Sequence, residues 1–136
     1  MRKLATVVAM LATALSLVAT GSAKPSIDVV GHVYINDNTA GENTVAGFDR
    51  HADGSLTPMA GSPFDIGGTG GGHGNASQGS LQLSADGRYL LAVDAGSNQV
   101  SVLRIKPDGS LDQAQGSPVY SGGVNPVSSA VTGSLV

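Results

Sequence analysis

The chain contains no cysteine, so neither a disulfide framework nor a thiolate metal site is open to it. Tryptophan is also absent and aromatic residues make up only 4% of the sequence, so stability has to come from packing a small core without covalent help. Charged residues are sparse at 12%, and the seven Lys and Arg never cluster. That excludes the basic patch with which proteins displace counterions from nucleic acid. Glu42 is the sole glutamate, which leaves little material for paired-carboxylate chemistry. The three histidines, His32, His51 and His73, are scattered and have no cysteine to complete a zinc signature, so no metal is expected.

Long apolar runs are missing after the N-terminus. Met1 is followed by Arg2 and Lys3, an apolar run from Leu4 to Ala19, and the small residues Thr20-Gly-Ser-Ala23. A basic stretch, an apolar stretch and a small-residue cleavage site predict a secretory signal peptide over residues 1–23. The alternative is a membrane anchor, but a spanning helix needs about 20 strongly apolar residues. This run is shorter and rich in Ala and Thr. The expectation is export, to the periplasm or the medium, with residues 24–136 as one small domain carrying five basic against ten acidic side chains.

What the sequence has in abundance is glycine, 20 residues in all, and an internal repeat. Asn43 to Phe48, Asp53-Gly-Ser-Leu56, Gly61-Ser-Pro63 and Gly67-Gly68 recur 55 positions later as Asn98 to Leu103, Asp108-Gly-Ser-Leu111, Gly116-Ser-Pro118 and Gly122-Gly123. A constant offset through four blocks means that one supersecondary unit is used twice. The unit reads as short strands: an inner strand over Ser80–Ser84, then Tyr89–Asp94, Val100–Ile105 and a strand entered at Leu111, joined by Asp-Gly and Gly-Ser-Asn turns. No stretch after the leader shows a helical apolar period. Four antiparallel strands in tandem predict an all-β partial β-propeller, with units over about 29–79 and 80–125 and a third begun at 126. The first unit enters at its second strand, Val29–Asn36, and its following loop is expected to be three residues longer than its counterpart. Pro126 to Val131 matches the inner-strand position of Gln78 to Leu83, and Leu135-Val136 would begin the next strand.

Few residues suggest chemistry. Gly67 to Gly74 invites a phosphate-loop reading, but it has neither the Walker spacing nor the dinucleotide fingerprint, and no helix follows to aim a dipole at an anion. A flexible connection between blades is the simpler reading. In a closed propeller this loop would precede an inner strand near the central channel, making His73, Asn75 and Gln78 the polar ligand-binding candidates. Ser77 sits in an incomplete nucleophile-elbow pattern with a strand rather than a helix after it, and reads as an ordinary loop hydroxyl. Asp49, His51 and Asp53 resemble a calcium loop faintly, but Ala60 stands where an acidic ligand is required, and Arg104 and Lys106 take the equivalent places in the second copy. A shared hairpin turn explains both copies. His32 has no obvious partner in the sequence.

The runs His32-Val-Tyr-Ile, Val45-Ala-Gly-Phe-Asp-Arg50, Ala52 to Pro58, Ser77-Gln-Gly79, Leu83 to Val93 and Ala95-Gly-Ser-Asn98 resemble the lactonase-type seven-bladed propellers, which include a 6-phosphogluconolactonase and carboxymuconate-processing enzymes. The resemblance implies a fragment, about two blades, of an exported lactonase-like protein hydrolysing a sugar lactone or related cyclic ester without a cofactor. Lactone hydrolysis needs a polarised carbonyl, a water with its base and help for the leaving alkoxide. The family's catalytic His, Arg and Glu residues match no position of this chain. A noncatalytic propeller that binds a ligand or partner at the cell surface, or a nonfunctional truncated remnant, stands beside that reading. The implied partner is a small lactone, with no nucleic acid and no stable membrane anchor. Two blades alone are expected to lack lactonase activity and to associate through open faces and strand edges.

Overall fold

The structure is a computed structural model in which residues 28–74 and 77–133 are described; the expected leader at 1–23, Asn75 and Leu135-Val136 lie outside these residues. Every regular element is a strand: β1 Val29–Asn36, β2 Gly41–His51, β3 Leu56–Pro58, β4 Phe64–Gly70, β5 Leu81–Leu83, β6 Tyr89–Asp94, β7 Gln99–Ile105, β8 Leu111–Gln113 and β9 Val119–Tyr120. They form two antiparallel sheets. In the first, the order is β1-β2-β3, with β4 also on β2; in the second it is β5-β6-β7-β8, with β9 also on β7. β3 and β4 share one edge of β2, pairing with its two halves, as β8 and β9 share one edge of β7.

The sequence explains these strands through side-chain alternation and turn chemistry. On β2, Asn43, Val45 and Gly47 are buried while Thr44, Ala46 and Phe48 are only half-buried, the period of two of a pleated strand. β6 is a continuous apolar run and is buried along nearly its whole length, as a strand covered on both faces should be. Each Asp-Gly turn is locked by its own carboxylate: Asp53 Oδ1 accepts the Ser55 N–H at 2.9 Å, and Asp108 Oδ1 accepts the Ser110 N–H at 3.0 Å. The copies agree in finer detail. Ser62 Oγ accepts the Gly47 N–H at 2.9 Å and Ser117 Oγ accepts the Val102 N–H at 2.7 Å, so a serine hydroxyl completes the ladder where the outer strand is interrupted. The following Ser-Pro bonds are cis in both copies.

Two sequence expectations need correction. The β1–β2 pair Asn36↔Val45 corresponds to Val93↔Val100 in the second copy, so the intervening loop is two residues longer, not three. The equivalence of β1 to β6 therefore runs at 57 positions, while β2 to β7 keeps 55. Pro126 to Val131 forms no strand. It lies beside β5, with Ser129 N donating to Gly79 O at 2.8 Å, and among the described residues no strand pairs with it as β6 pairs with β5.

The sheets stack face to face over one core. Val45 and Ile66 from the first meet Leu90, Ala92, Leu103 and Leu111 from the second, with Tyr34, Phe64, Leu81 and Ile105 around them. Ile66 and Leu103 have no exposed surface, and burial on this scale stabilises by about 1.5–3 kcal/mol per side chain. Hydrogen bonds cross the same interface: Tyr34 Oη donates to Gly109 O at 2.6 Å, and Asn36 Nδ2 donates to Val93 O at 3.0 Å. The fold is therefore all-β, two successive sheets packed as blades of a partial propeller.

Candidate functional site

Two loops meet on one face of the molecule. One is the β1–β2 loop, beginning at Asp37, and the other is the Gly-rich connection from β4 to β5. Asn38 joins them. Its backbone takes φ 49°, a left-handed value that Asn tolerates well, and this turns its side chain toward the glycines. Asn38 Oδ1 accepts the Gly71 N–H at 2.7 Å, Asn38 O accepts the Gly72 N–H at 2.9 Å, and Asn38 Nδ2 donates to His73 O. Asn36 Oδ1 in turn accepts the Asn38 N–H at 3.0 Å. The connection is thus hydrogen-bonded to the β1–β2 loop at Gly71–His73.

The glycine run owes its composition to close approach. A Cβ at Gly68 would lie 2.1 Å from Asp94 Cγ, and one at Gly70 would lie 2.4 Å from the Asn38 carbonyl carbon. Gly67 to Gly70 belong to β4 itself, so half of the apparent loop is strand that has to pass close to a neighbouring sheet.

Between the loops lies a cleft of about 440 Å³, lined by Asn36, Asp37, Asn38, Thr39, His73, Ser77 and Ser80 among others. Of the three candidates, His73 lines it, Gln78 does not, and Asn75 lies outside the described residues. The His73 ring and the Asn38 amide converge over Gly71, where an added Cβ would sit 3.3 Å from His73 Nε2 and 3.4 Å from Asn38 Nδ2. Asp37 is the one carboxylate on the wall, and its Oδ2 accepts the Thr44 hydroxyl at 2.8 Å. Apart from it, the described lining is amides, hydroxyls and a single imidazole, with no Arg, Lys or Glu. Such groups donate to and accept from hydroxyls. Among the described residues, no three His, Asp or Glu gather closely enough to hold a metal ion.

Behind the cleft, a polar group that the sequence reading missed is built into the interface between the sheets. Asp94 is fully buried; its Oδ1 accepts Asn43 Nδ2 at 2.9 Å and its Oδ2 lies 2.6 Å from Ser101 Oγ. Ser101 Oγ also lies 2.8 Å from Ile66 O. One hydroxyl proton thus faces two acceptors, and a proton on Asp94 would supply the second bond. Burial pushes the Asp94 carboxyl above the usual carboxylate range, although the bonds from Ser101 and Asn43 oppose that shift. The signal was present in the sequence as Asp94 ending an apolar strand. His32, which had no partner in the sequence, has one in the fold: its Nδ1 lies 3.1 Å from Asp49 Oδ1, directly across the β1–β2 ladder. Comparison with protein-family models, curated proteins and solved structures found no match to this chain.

Proposed function

We propose that the chain forms two neighbouring blades of an exported, lactonase-like propeller, and that its cleft binds a small polyhydroxylated molecule such as a sugar lactone or its open acid. The observation that carries this is the cleft lining: amide and hydroxyl groups of Asn36, Asn38, Thr39, Ser77 and Ser80 around one imidazole, His73. A set of this kind matches the alternating donors and acceptors of a sugar ring. In this reading the blades contribute binding, and ester hydrolysis belongs to residues outside them. The lining favours a binding module over a self-sufficient hydrolase, since among the described residues no acid is positioned on the His73 ring and Asp37 is engaged by Thr44.

The test is a titration of the chain with gluconolactone and with gluconate, followed by amide chemical shifts, beside a lactone hydrolysis assay. Saturable shifts confined to residues 36–40 and 71–80, lost in His73→Ala, with hydrolysis at the spontaneous rate, are expected. Hydrolysis above that rate would overturn the assignment of these blades to binding. Absence of saturable shifts would overturn the ligand class.

A further inference from the structure

The second sheet has two faces, and the repeat relates the open one to a face already in use. Val45, fully buried against the second sheet, corresponds to Val100; Phe64, packed on the core, corresponds to Val119, which is 50% exposed; Asn43 corresponds to Asn98. Val100 and Val119, with Leu91 and Val102, line an apolar groove of about 540 Å³ on the side away from the first sheet. The first sheet has the reciprocal surface. Val33, Ile35, Ala46 and Phe48 occupy the ladder positions of Leu90, Ala92, Ser101 and Leu103, the residues through which the second sheet docks. Ile35 is 50% exposed where Ala92 is fully buried. Asp37 likewise stands where Asp94 does, exposed and facing no Asn43.

One face of the chain therefore has the form of a socket already filled within it, and the opposite face has the form of the plug. A strand position is complementary as well. Among the described residues, no strand pairs with the edge of β1 away from β2, whereas β6 has β5 on that edge. Pro126 to Val131 lies across the groove, at the inner-strand position, and no strand among the described residues is paired to it.

We propose that a second copy of the chain docks there head to tail. Its first sheet covers Leu91, Val100, Val102 and Val119, its Asp37 accepts from Asn98, and its β1 pairs with the 126–131 segment of the first copy. By the β5–β6 register, Ser129 of one copy lies opposite Ile35 of the next, and Val131 opposite Val33. The contact is heterologous, each copy offering a different face, so it propagates until a ring closes. Closed propellers hold four to eight blades, which here means two to four chains. This inference concerns the sheet faces and does not depend on what the cleft binds.

The experiment uses light scattering behind size-exclusion chromatography on the chain and on two variants, Val119→Asp in the socket and Ile35→Asp in the plug. The unaltered chain is expected to run as an assembly of two to four copies, and each variant as single chains with unchanged circular dichroism. Mixing the variants should restore a dimer and nothing larger, because each retains one intact face. A single-chain mass for the unaltered protein, or failure of the mixture to pair, would overturn the proposal. If a variant unfolds, the double variant Ile35→Cys/Ser129→Cys gives an independent reading in this cysteine-free chain. Oxidation is then expected to join copies covalently, and a product containing only single chains would overturn the docking register.

Discussion

The two faces of the second sheet carry almost the same kind of residue and have different fates. Leu90, Ala92 and Leu103 meet the first sheet and are sealed from water, while Val100, Val102 and Val119 on the other side border an open groove. The difference does not lie in hydrophobicity. It lies in whether a partner sheet offers a complementary surface and polar groups to match the strand ends. On the covered side Asn43, Asp94 and Ser101 satisfy one another, and Gly68 lets a backbone pass against Asp94; on the open side the Asn98 side-chain oxygen accepts the backbone N–H of Asn125, at 2.7 Å. Apolar strands thus set which surfaces seek cover, and a few polar residues and glycines set which cover fits.

Substitutions at matched positions sharpen this comparison. The largest effect is expected for Leu103→Ala, which opens a cavity in the sealed interface and should cost about 2–5 kcal/mol. Phe48→Ala, at the equivalent position of the first sheet, removes more atoms but should cost less, because Phe48 is only half-buried. Chemical denaturation of both variants under single-chain conditions checks this, and equal losses would erase the distinction between the faces. Next in size is Asn43→Ala, which strips a donor from the buried Asp94 carboxyl and should cost about 1–3 kcal/mol.

The Asp-Gly turns offer a smaller, cleaner contrast. Gly54 and Gly109 both hold positive φ, at 86° and 80°, so valine at either should cost about 1 kcal/mol or more. Only at Gly109 does the added Cβ meet another sheet, 2.5 Å from the His32 ring, whereas at Gly54 it meets nothing. Gly109→Val should therefore lower the melting temperature more than Gly54→Val; the reverse order would place the sheets wrongly.

The smallest effect is a pH dependence. Because burial raises the folded pKa of Asp94, that group favours the folded state below its unfolded pKa, and its contribution is lost as pH rises through the raised value. Asp86 acts oppositely: the hydroxyl of Ser84 and then the Arg88 guanidinium hold its carboxyl down to about 2, so its contribution is lost only on strong acidification. Replacing Asp94 by Asn should thus help most at neutral pH and progressively less toward pH 4. Unfolding curves for Asp94→Asn and the parent across that range test the sign, and a benefit that grows on acidification would mean that Asn43 and Ser101 outweigh desolvation.

Much of the fold was legible because its signals are local and repeated. The 55-residue offset marked the turns, and Asp53 and Asp108 indeed hold matching hydrogen bonds. Strand limits at Val29–Asn36 and Tyr89–Asp94 followed from apolar runs bounded by turn residues. What sequence could not supply was the partner of each face: Val45 and Val100 occupy equivalent places in the repeat, and only one of them is sealed. The Gly67–Gly74 run misled for a related reason. Gly68 answers to Asp94 and Gly70 to the Asn38–Thr39 backbone, contacts made across long sequence separations. His73 was singled out because a loop entering an inner strand is a positional argument. Asn38, which holds that loop, gave only the weak signal of an Asn between two strands.

The central claim is that the two sheets are joined through a specific buried contact, and a double-mutant cycle between Asn43 and Asp94 tests it most directly. Asn43→Ala, Asp94→Ala and the double variant, compared by equilibrium unfolding at neutral pH, should show a coupling energy of about 0.5–3 kcal/mol, as expected for side chains 2.9 Å apart in one hydrogen-bonded group. Additivity within about 0.3–0.5 kcal/mol would mean that the two residues do not meet, and with that the face-to-face packing of the sheets would be contradicted.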